Sequence, residues 1–217
     1  MADDASRAGF RYDSREILAF VNDLHAPHDP ALTAAFEAPT RHGLPPIQVG
    51  PSEGKLLGLL LRMIGARKVV EFGTLAGYSA LHMARVLPLD GHLWSLELDP
   101  RHAEVARDNL ALAGLSERAT ILIGPALEAL PILEVEAPFD AVFLDADKGN
   151  YDRYGRWAAA HLRPGGLLLG DNAFLFGRLL DPDAEAQAMR RFHQEAAAAF
   201  DTVCIPTPDG LLLGIKK

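Results

Sequence analysis

"VVEFGTLAGYSALHMA", residues 69–84, opens as a β-rich apolar run containing an acid, turns through two glycines and continues as a helix. A strand that feeds a helix through a glycine turn is how nucleotide-binding α/β sheets begin, and the spacing of the glycines then reports what the turn holds. Here they stand at Gly73 and Gly77, with Thr74, Leu75 and Ala76 between them. The dinucleotide fingerprint G-x-G-x-x-G is absent. A pyrophosphate needs backbone N–H groups brought close by glycines at that spacing, so this more open turn suits a ligand without phosphates.

Outward from the turn, short apolar runs alternate with helical patterns: "KVVEF", "HLWSLEL", "ATILIG", "FDAVFLDA" and "GGLLLGD". Strands alternating with helices predict a parallel, doubly wound α/β sheet. The end differs. "TVCIP" and "GLLLGIKK" are joined by the short "PTPDG" turn, which predicts an antiparallel C-terminal hairpin on one edge of a mostly parallel seven-stranded sheet. Before the sheet, Ile17, Leu18, Val21 and Leu24, then Leu32, Ala35 and Phe36, recur at helical spacing around "HAPHDP". They predict two short helices between Ser14 and Glu37. A third helix follows "GLPPIQVGP", with Ser52 as a candidate cap and Gly65 as its stop. The 217 residues, about half of them apolar, suffice for one domain over 1–217, with residues 1–50 as an N-terminal helical extension.

The net charge of −8 is spread along the chain with no basic run, which argues against nucleic acid as a partner. One cysteine, Cys204, can form neither an internal disulfide nor a metal cluster by itself and reads as a small buried strand residue. No stretch reaches about 18 unbroken apolar residues, so a soluble, cytoplasmic protein without a membrane span is expected.

Ligands of open α/β sheets bind beyond the carboxyl ends of the strands, where this chain places acids. Glu71 ends the first run, Glu97 the second, Asp145 the fourth with Asp147 beyond it, and Asp171 the fifth, followed by Asn172. Any one of them alone reads as a helix cap or turn residue. Together they point to a site. Glu97 lies about 20 residues past the turn, where an acid commonly accepts hydrogen bonds from ribose hydroxyls. A nucleoside without pyrophosphate fits both features, and S-adenosylmethionine is such a cofactor, with Glu71 placed to favour its positive end. Ser79 could meet the cofactor's carboxylate near a helix N-terminus, or merely cap that helix. Asp145, Asp171 and Asn172 offer three hard oxygen ligands from two strand ends, suited to Mg²⁺ or Ca²⁺. Lys148, three residues past Asp145, is a candidate base there and otherwise a surface lysine.

With these residues the chain resembles the caffeoyl-CoA O-methyltransferase type of class I methyltransferases, relatives of catechol O-methyltransferase, from about Leu44 to the end. The carriers are "QVGPSEGKLL", "EFGTLAGYSA", "LELDP", "GPALEALP", "FLDADKGNY", "LRPGGLLLGDN" and "DGLLLGIKK". The resemblance implies a Rossmann-like methyltransferase fold and cation-dependent methyl transfer from S-adenosylmethionine to a hydroxyl of a vicinal aromatic diol, with Mg²⁺ first and Ca²⁺ or Mn²⁺ as alternatives. It implies cofactor contacts at Val49, Glu71, Gly73, Thr74, Ser79, Glu97, Ala126, Asp145 and Asp147, metal ligands at Asp145, Asp171 and Asn172, and Lys148 as base. It further implies a homodimer. The chain departs from the family at Ala76, where Thr or Ser is usual, and at "AFLFG", which puts Phe176 near a usual tryptophan. The N-terminal part that grips a CoA ester is not recognisable, so a small catechol-like diol is the expected acceptor. The rival readings are a metal-independent methyltransferase and a non-catalytic cofactor-sensing module.

Overall fold

A computed structural model describes residues 15–217; residues 1–14, which include Ser14 and the start of the expected extension, lie outside the described residues. Among the described residues, helices α1 (Arg15–His25), α2 (Pro30–His42) and α3 (Pro51–Met63) precede the sheet. Then β1 (Lys68–Phe72), α4 (Tyr78–Ala84), β2 (His92–Glu97), α5 (Pro100–Leu112), β3 (Ala119–Ile123), α6 (Ala126–Glu134), β4 (Phe139–Leu144), α7 (Tyr151–His161), β5 (Leu162–Gly170) and α8 (Ala184–Ala199) follow in turn. Strands β6 (Phe200–Ile205) and β7 (Leu211–Lys216) close the chain.

The seven strands form one sheet in the order β3-β2-β1-β4-β5-β7-β6. Strands β1 to β5 pair in parallel, whereas β7 pairs antiparallel with both β5 and β6. This is a Rossmann-like sheet, and the expected hairpin sits on its edge with the last strand inserted inside the one before it. The order reverses between β1 and β4. That switch point opens a crevice at the carboxyl ends of both strands.

Both faces of the sheet are covered, which is why its central strands read as continuous apolar runs rather than alternating ones. On one face Val69, Leu93, Ala141, Phe143 and Leu169 pack under α3 and α4 residues such as Leu57, Leu61, Leu81 and Met83. On the other, Val70, Phe72, Val142, Leu144 and Leu168 pack with Tyr151, Tyr154, Met189 and Phe192 of α7 and α8. Phe192 is a keystone there. Its ring packs so closely on Gly155 of α7 that a Cβ there would come within 2.7 Å, and it meets the Tyr151 ring edge-on at 5.3 Å.

Two local expectations are corrected. Helix α3 is capped at Gly50, whose N–H donates to Glu53 Oε2 at 2.8 Å, while Ser52 Oγ instead bonds Asn22 of α1. Its end falls at Met63, with Gly65 just beyond in the left-handed region that a helix stop requires. Cys204 is half-buried on the edge strand β6 rather than enclosed. Helix α1 buries none of its residues and leaves Phe20 and Leu24 exposed. No helix among the described residues is long and apolar enough to cross a membrane.

Phe192→Ala removes a fully buried ring between α7, α8 and the sheet. Truncations of this kind cost about 3–5 kcal/mol, so denaturant unfolding should show a loss in that range. A loss below about 1 kcal/mol would mean that the core relaxes around the gap.

Candidate active site

The glycine turn takes its shape from what lies behind it. Gly73 has φ +90° and packs against the strand-end of β4: a Cβ there would sit 2.1 Å from the Asp145 carbonyl oxygen. No side chain fits. Glu97, at the end of β2, accepts from the N–H groups of Thr74 at 3.1 Å and Leu75 at 2.7 Å through Oε2, and from Asp99 N–H at 2.9 Å through Oε1. The acid thereby holds the turn open and keeps about one acceptor position, on Oε1, for a ligand. Leu75 adopts φ +49° within it, and Asn109 Nδ2 of α5 donates to the Ala76 carbonyl at 2.8 Å.

Glu71 lies beneath this turn and is fully buried. Ser79 Oγ donates to its Oε1 and Ser95 Oγ to its Oε2, each at 2.5 Å, and Thr74 Oγ1 bonds Ser95 in turn. Burial pushes the Glu71 carboxyl up to about 8, against the opposing pull of the two serine hydroxyls. Ser79 therefore neither caps α4, whose N-cap is Gly77, nor stands free; it bridges the buried acid to the cavity above.

The second group forms where β4 and β5 end. Lys148 Nζ donates to Asp145 Oδ1 at 3.1 Å and to the Tyr151 hydroxyl at 2.7 Å, and its side chain is only 11% exposed, so it is no solvated surface lysine. Asp171 and Asn172 follow β5 directly, Asn172 at φ +51°. Burial, and then the neighbouring Asp145 charge, push the Asp171 carboxyl up to about 7. Burial likewise raises Asp145, with Lys148 opposing. Among the described residues no three His, Cys, Asp or Glu side chains form a metal cluster. The donor set is two carboxylates and one amide, all oxygen, crowded and short of positive charge, which fits a hard divalent cation.

Both groups face one cavity of about 1040 Å³. Val49, Gly73, Thr74, Ser79, Glu97, Ala126, Asp145, Asp147, Lys148, Asp171 and Asn172 all line it. Glu71 does not; it lies below the cavity, bonded to Ser79, which does. Residues that sequence reasoning missed also line the cavity, among them Glu53, Tyr78, His102, Tyr154, Pro208 and Asp209. Asp209 had a signal, an acid in the "PTPDG" turn, but it read only as turn chemistry. That turn is strapped across the site: Ala173 N–H donates to the Gly210 carbonyl at 2.9 Å and Phe174 N–H to the Asp209 carbonyl at 3.3 Å.

Residues 23–217 match the family model described as O-methyltransferase. The chain belongs to this family. This O-methyltransferase is 41% identical over 210 residues to a catechol O-methyltransferase of Niastella koreensis, covering 91% of this chain and 95% of that one. It superposes with a TM-score of 0.90 on the O-methyltransferase TomG from Streptomyces achromogenes, solved in complex with SAM, at 35% identity and over the whole of both chains. An O-methyltransferase from Bacillus cereus solved in complex with SAH gives 0.89 at 35% identity, over 93% of this chain and 97% of that one. The chain is thus an S-adenosylmethionine-dependent O-methyltransferase.

The buried Glu71 sets a pH dependence for this O-methyltransferase without ligand. Its carboxyl ionises near 4.5 when exposed and at about 8 when folded, so between those values the unfolded chain loses a proton that the native state keeps. Stability from this group is complete below pH 4.5 and falls as pH rises towards 8. Relative to Glu71→Gln, the wild type should lose stability across that window, by roughly 5 kcal/mol at most. Parallel slopes for the two proteins in denaturant unfolding would show that Glu71 ionises normally.

Proposed function

We propose that this enzyme transfers the methyl group of S-adenosylmethionine to one hydroxyl of a small vicinal aromatic diol, with a divalent cation held by Asp145, Asp171 and Asn172 and with Lys148 as general base. The observation that carries the reading is the placement of Lys148. Its ammonium lies 3.1 Å from Asp145, almost out of solvent, in the same cavity as the oxygen donors and the glycine turn. Mg²⁺ suits the donors best, with Mn²⁺ and Ca²⁺ as alternatives.

In this reading Gly73, Thr74, Glu97 and Ala126 bind the nucleoside end of the cofactor, with Glu97 on the ribose. Val49, Ser79 and Asp147 hold its amino acid end, and Glu71 favours the positive charge through Ser79. Bound between the aspartates and the asparagine, a divalent cation would lower the pKa of the acceptor hydroxyl. Entering the step as the neutral amine, with its own proton already given to solvent, Lys148 takes that hydroxyl's proton on the Nζ lone pair, and the Asp145 carboxylate holds the ammonium that results. The walls hold the acceptor oxygen in line with the methyl group, and much of the acceleration comes from that alignment. No covalent enzyme intermediate is needed.

The acceptor class is supported by what surrounds the oxygen donors. Pro46, Ile47, Phe176 and Pro208 supply apolar walls for a ring, Glu53 and Asp209 add negative charge, and no arginine among the described residues lines the cavity. The phosphates of a CoA ester would meet repulsion there. Relatives named catechol O-methyltransferase support the same class. A homodimer is part of the reading, supported by the exposed Phe20 and Leu24 of α1.

Chelation should abolish turnover of a small catechol and added Mg²⁺ restore it, while calorimetry still shows cofactor binding. Full turnover in excess chelator would replace this reading with metal-independent transfer. Lys148→Met keeps the apolar stem and deletes the amine, so kcat should fall by about 10²–10⁴ with cofactor affinity nearly unchanged. Wild-type kcat in that variant would remove Lys148 as base.

A further inference from the structure

We propose that Tyr151 is a positioning residue for methyl transfer: its phenol oxygen holds Lys148 in line with the acceptor site, and its proton ties the ends of β4 and β5 together. This inference rests on Lys148 acting as the base.

Tyr151 is the first residue of α7 and its side chain is fully buried. Its hydroxyl accepts from Lys148 Nζ at 2.7 Å and directs its proton between two strand-end carbonyls, Leu144 at 2.9 Å and Asp171 at 3.1 Å. Those carbonyls belong to the residue before Asp145 and to Asp171 itself. One oxygen atom thus touches the base and the backbone on either side of the oxygen-donor set. A buried hydroxyl that needed only to be satisfied would have been served by the carbonyls alone. The contact with Lys148 is additional.

A lysine side chain is long and loses considerable rotamer freedom when fixed. With Asp145 as its sole acceptor, Nζ could swing about that carboxylate. With Tyr151 as a second acceptor, and the Tyr151 ring 4.6 Å away, two of the three bonding directions at Nζ are spent as N–H donors, and the third, which carries the lone pair when Lys148 acts as base, is left for the cavity. Because near-attack geometry carries so much of a displacement between two bound molecules, a shift of about 1 Å in such a group can cost 10²-fold.

The test is Tyr151→Phe, assayed for kcat, diol KM, cofactor Kd, the Mg²⁺ activation constant and thermal stability, alongside Lys148→Met and the double variant. Positioning predicts a kcat lower by about 10- to 100-fold at saturating metal, a cofactor Kd within about twofold of wild type, and a double variant no slower than Lys148→Met. Wild-type kcat in Tyr151→Phe, or losses that multiply in the double variant, would overturn it. A raised Mg²⁺ constant with normal kcat at saturation would overturn it too, since Tyr151 would then serve only the strand ends. Wild-type kcat in Lys148→Met would bring down the base reading first. 3-Fluorotyrosine at position 151 guards against a folding defect, because it keeps the ring and proton but makes the oxygen a poorer acceptor. A reduced kcat with unchanged melting temperature supports the proposal, and an unchanged kcat refutes it.

Discussion

The carbonyl of Asp145 occupies the space where a side chain on Gly73 would have to be, and the site is organised around that contact. Strands β1 and β4 are neighbours whose chains leave for different parts of the fold. At their ends the ladders continue one step further: Asp145 N–H donates to the Phe72 carbonyl at 2.8 Å, between β4 and β1, and Gly73 N–H to the Leu96 carbonyl at 2.9 Å, between β1 and β2. The glycine turn and the loop that carries Asp145, Asp147 and Lys148 are therefore in backbone contact. With Asp171 N–H on the Leu144 carbonyl at 2.9 Å, the third loop joins the same sequence of bonds. A two-substrate transfer needs both partners fixed in one frame, and this backbone continuity supplies it.

The same crowding sets the electrostatics. Three acids at adjacent strand ends, Glu71, Asp145 and Asp171, have their pKa values raised above the ordinary carboxylate range, burial being the first cause in each. Of the three, Asp145 is the one that hydrogen-bonds the Lys148 ammonium, and Glu71 has hydroxyl donors instead of a charge. A site in this state favours positively charged ligands, because each brings back Coulombic energy that burial took away. The two halves of the cavity differ in how the acid reaches it: through Ser79 below the glycine turn, and directly through Asp145 and Asp171 beside Lys148.

How much of this the sequence revealed depends on the range of the interaction. The strands were legible because a sheet covered on both faces demands unbroken apolar runs, and the acids closing "HLWSLEL" and "FDAVFLDA" marked the ligand edge directly. The hairpin was legible from "PTPDG", since so short a connection permits only antiparallel pairing. The insertion of β7 between β5 and β6 was not, because either strand could have bordered β5. Ser52 was a reasonable cap by residue type, yet Glu53 reached back to Gly50 and freed the serine for Asn22. Glu71 was found as an acid, but not its depth, which depends on Ser79 and Ser95 arriving from two other elements. Tyr151 carries no local signal at all. An aromatic residue at a helix start reads as core, and its three oxygen contacts exist only once β4, β5 and Lys148 have converged.

The segment after β5 shows what the fold gives up for the site. Asn172, Leu175 and Phe176 all have φ near +50°, a region that asparagine tolerates and that costs other side chains about 1–2 kcal/mol each. Nothing in "DNAFLFG" demands it locally. The strain is offset by burial of Leu175, fully enclosed and worth roughly 1.5–3 kcal/mol, and by bonds that leave no slack: Leu175 N–H to the Asn172 carbonyl at 2.8 Å, and His193 Nε2 to the Ala173 carbonyl at 2.7 Å. The result is a compact reversal that keeps the Asn172 side chain beside Asp171 at the cavity and leaves Phe176, 60% exposed, on its rim. The left-handed turns are thus the local cost of keeping Asn172 and Phe176 on the cavity.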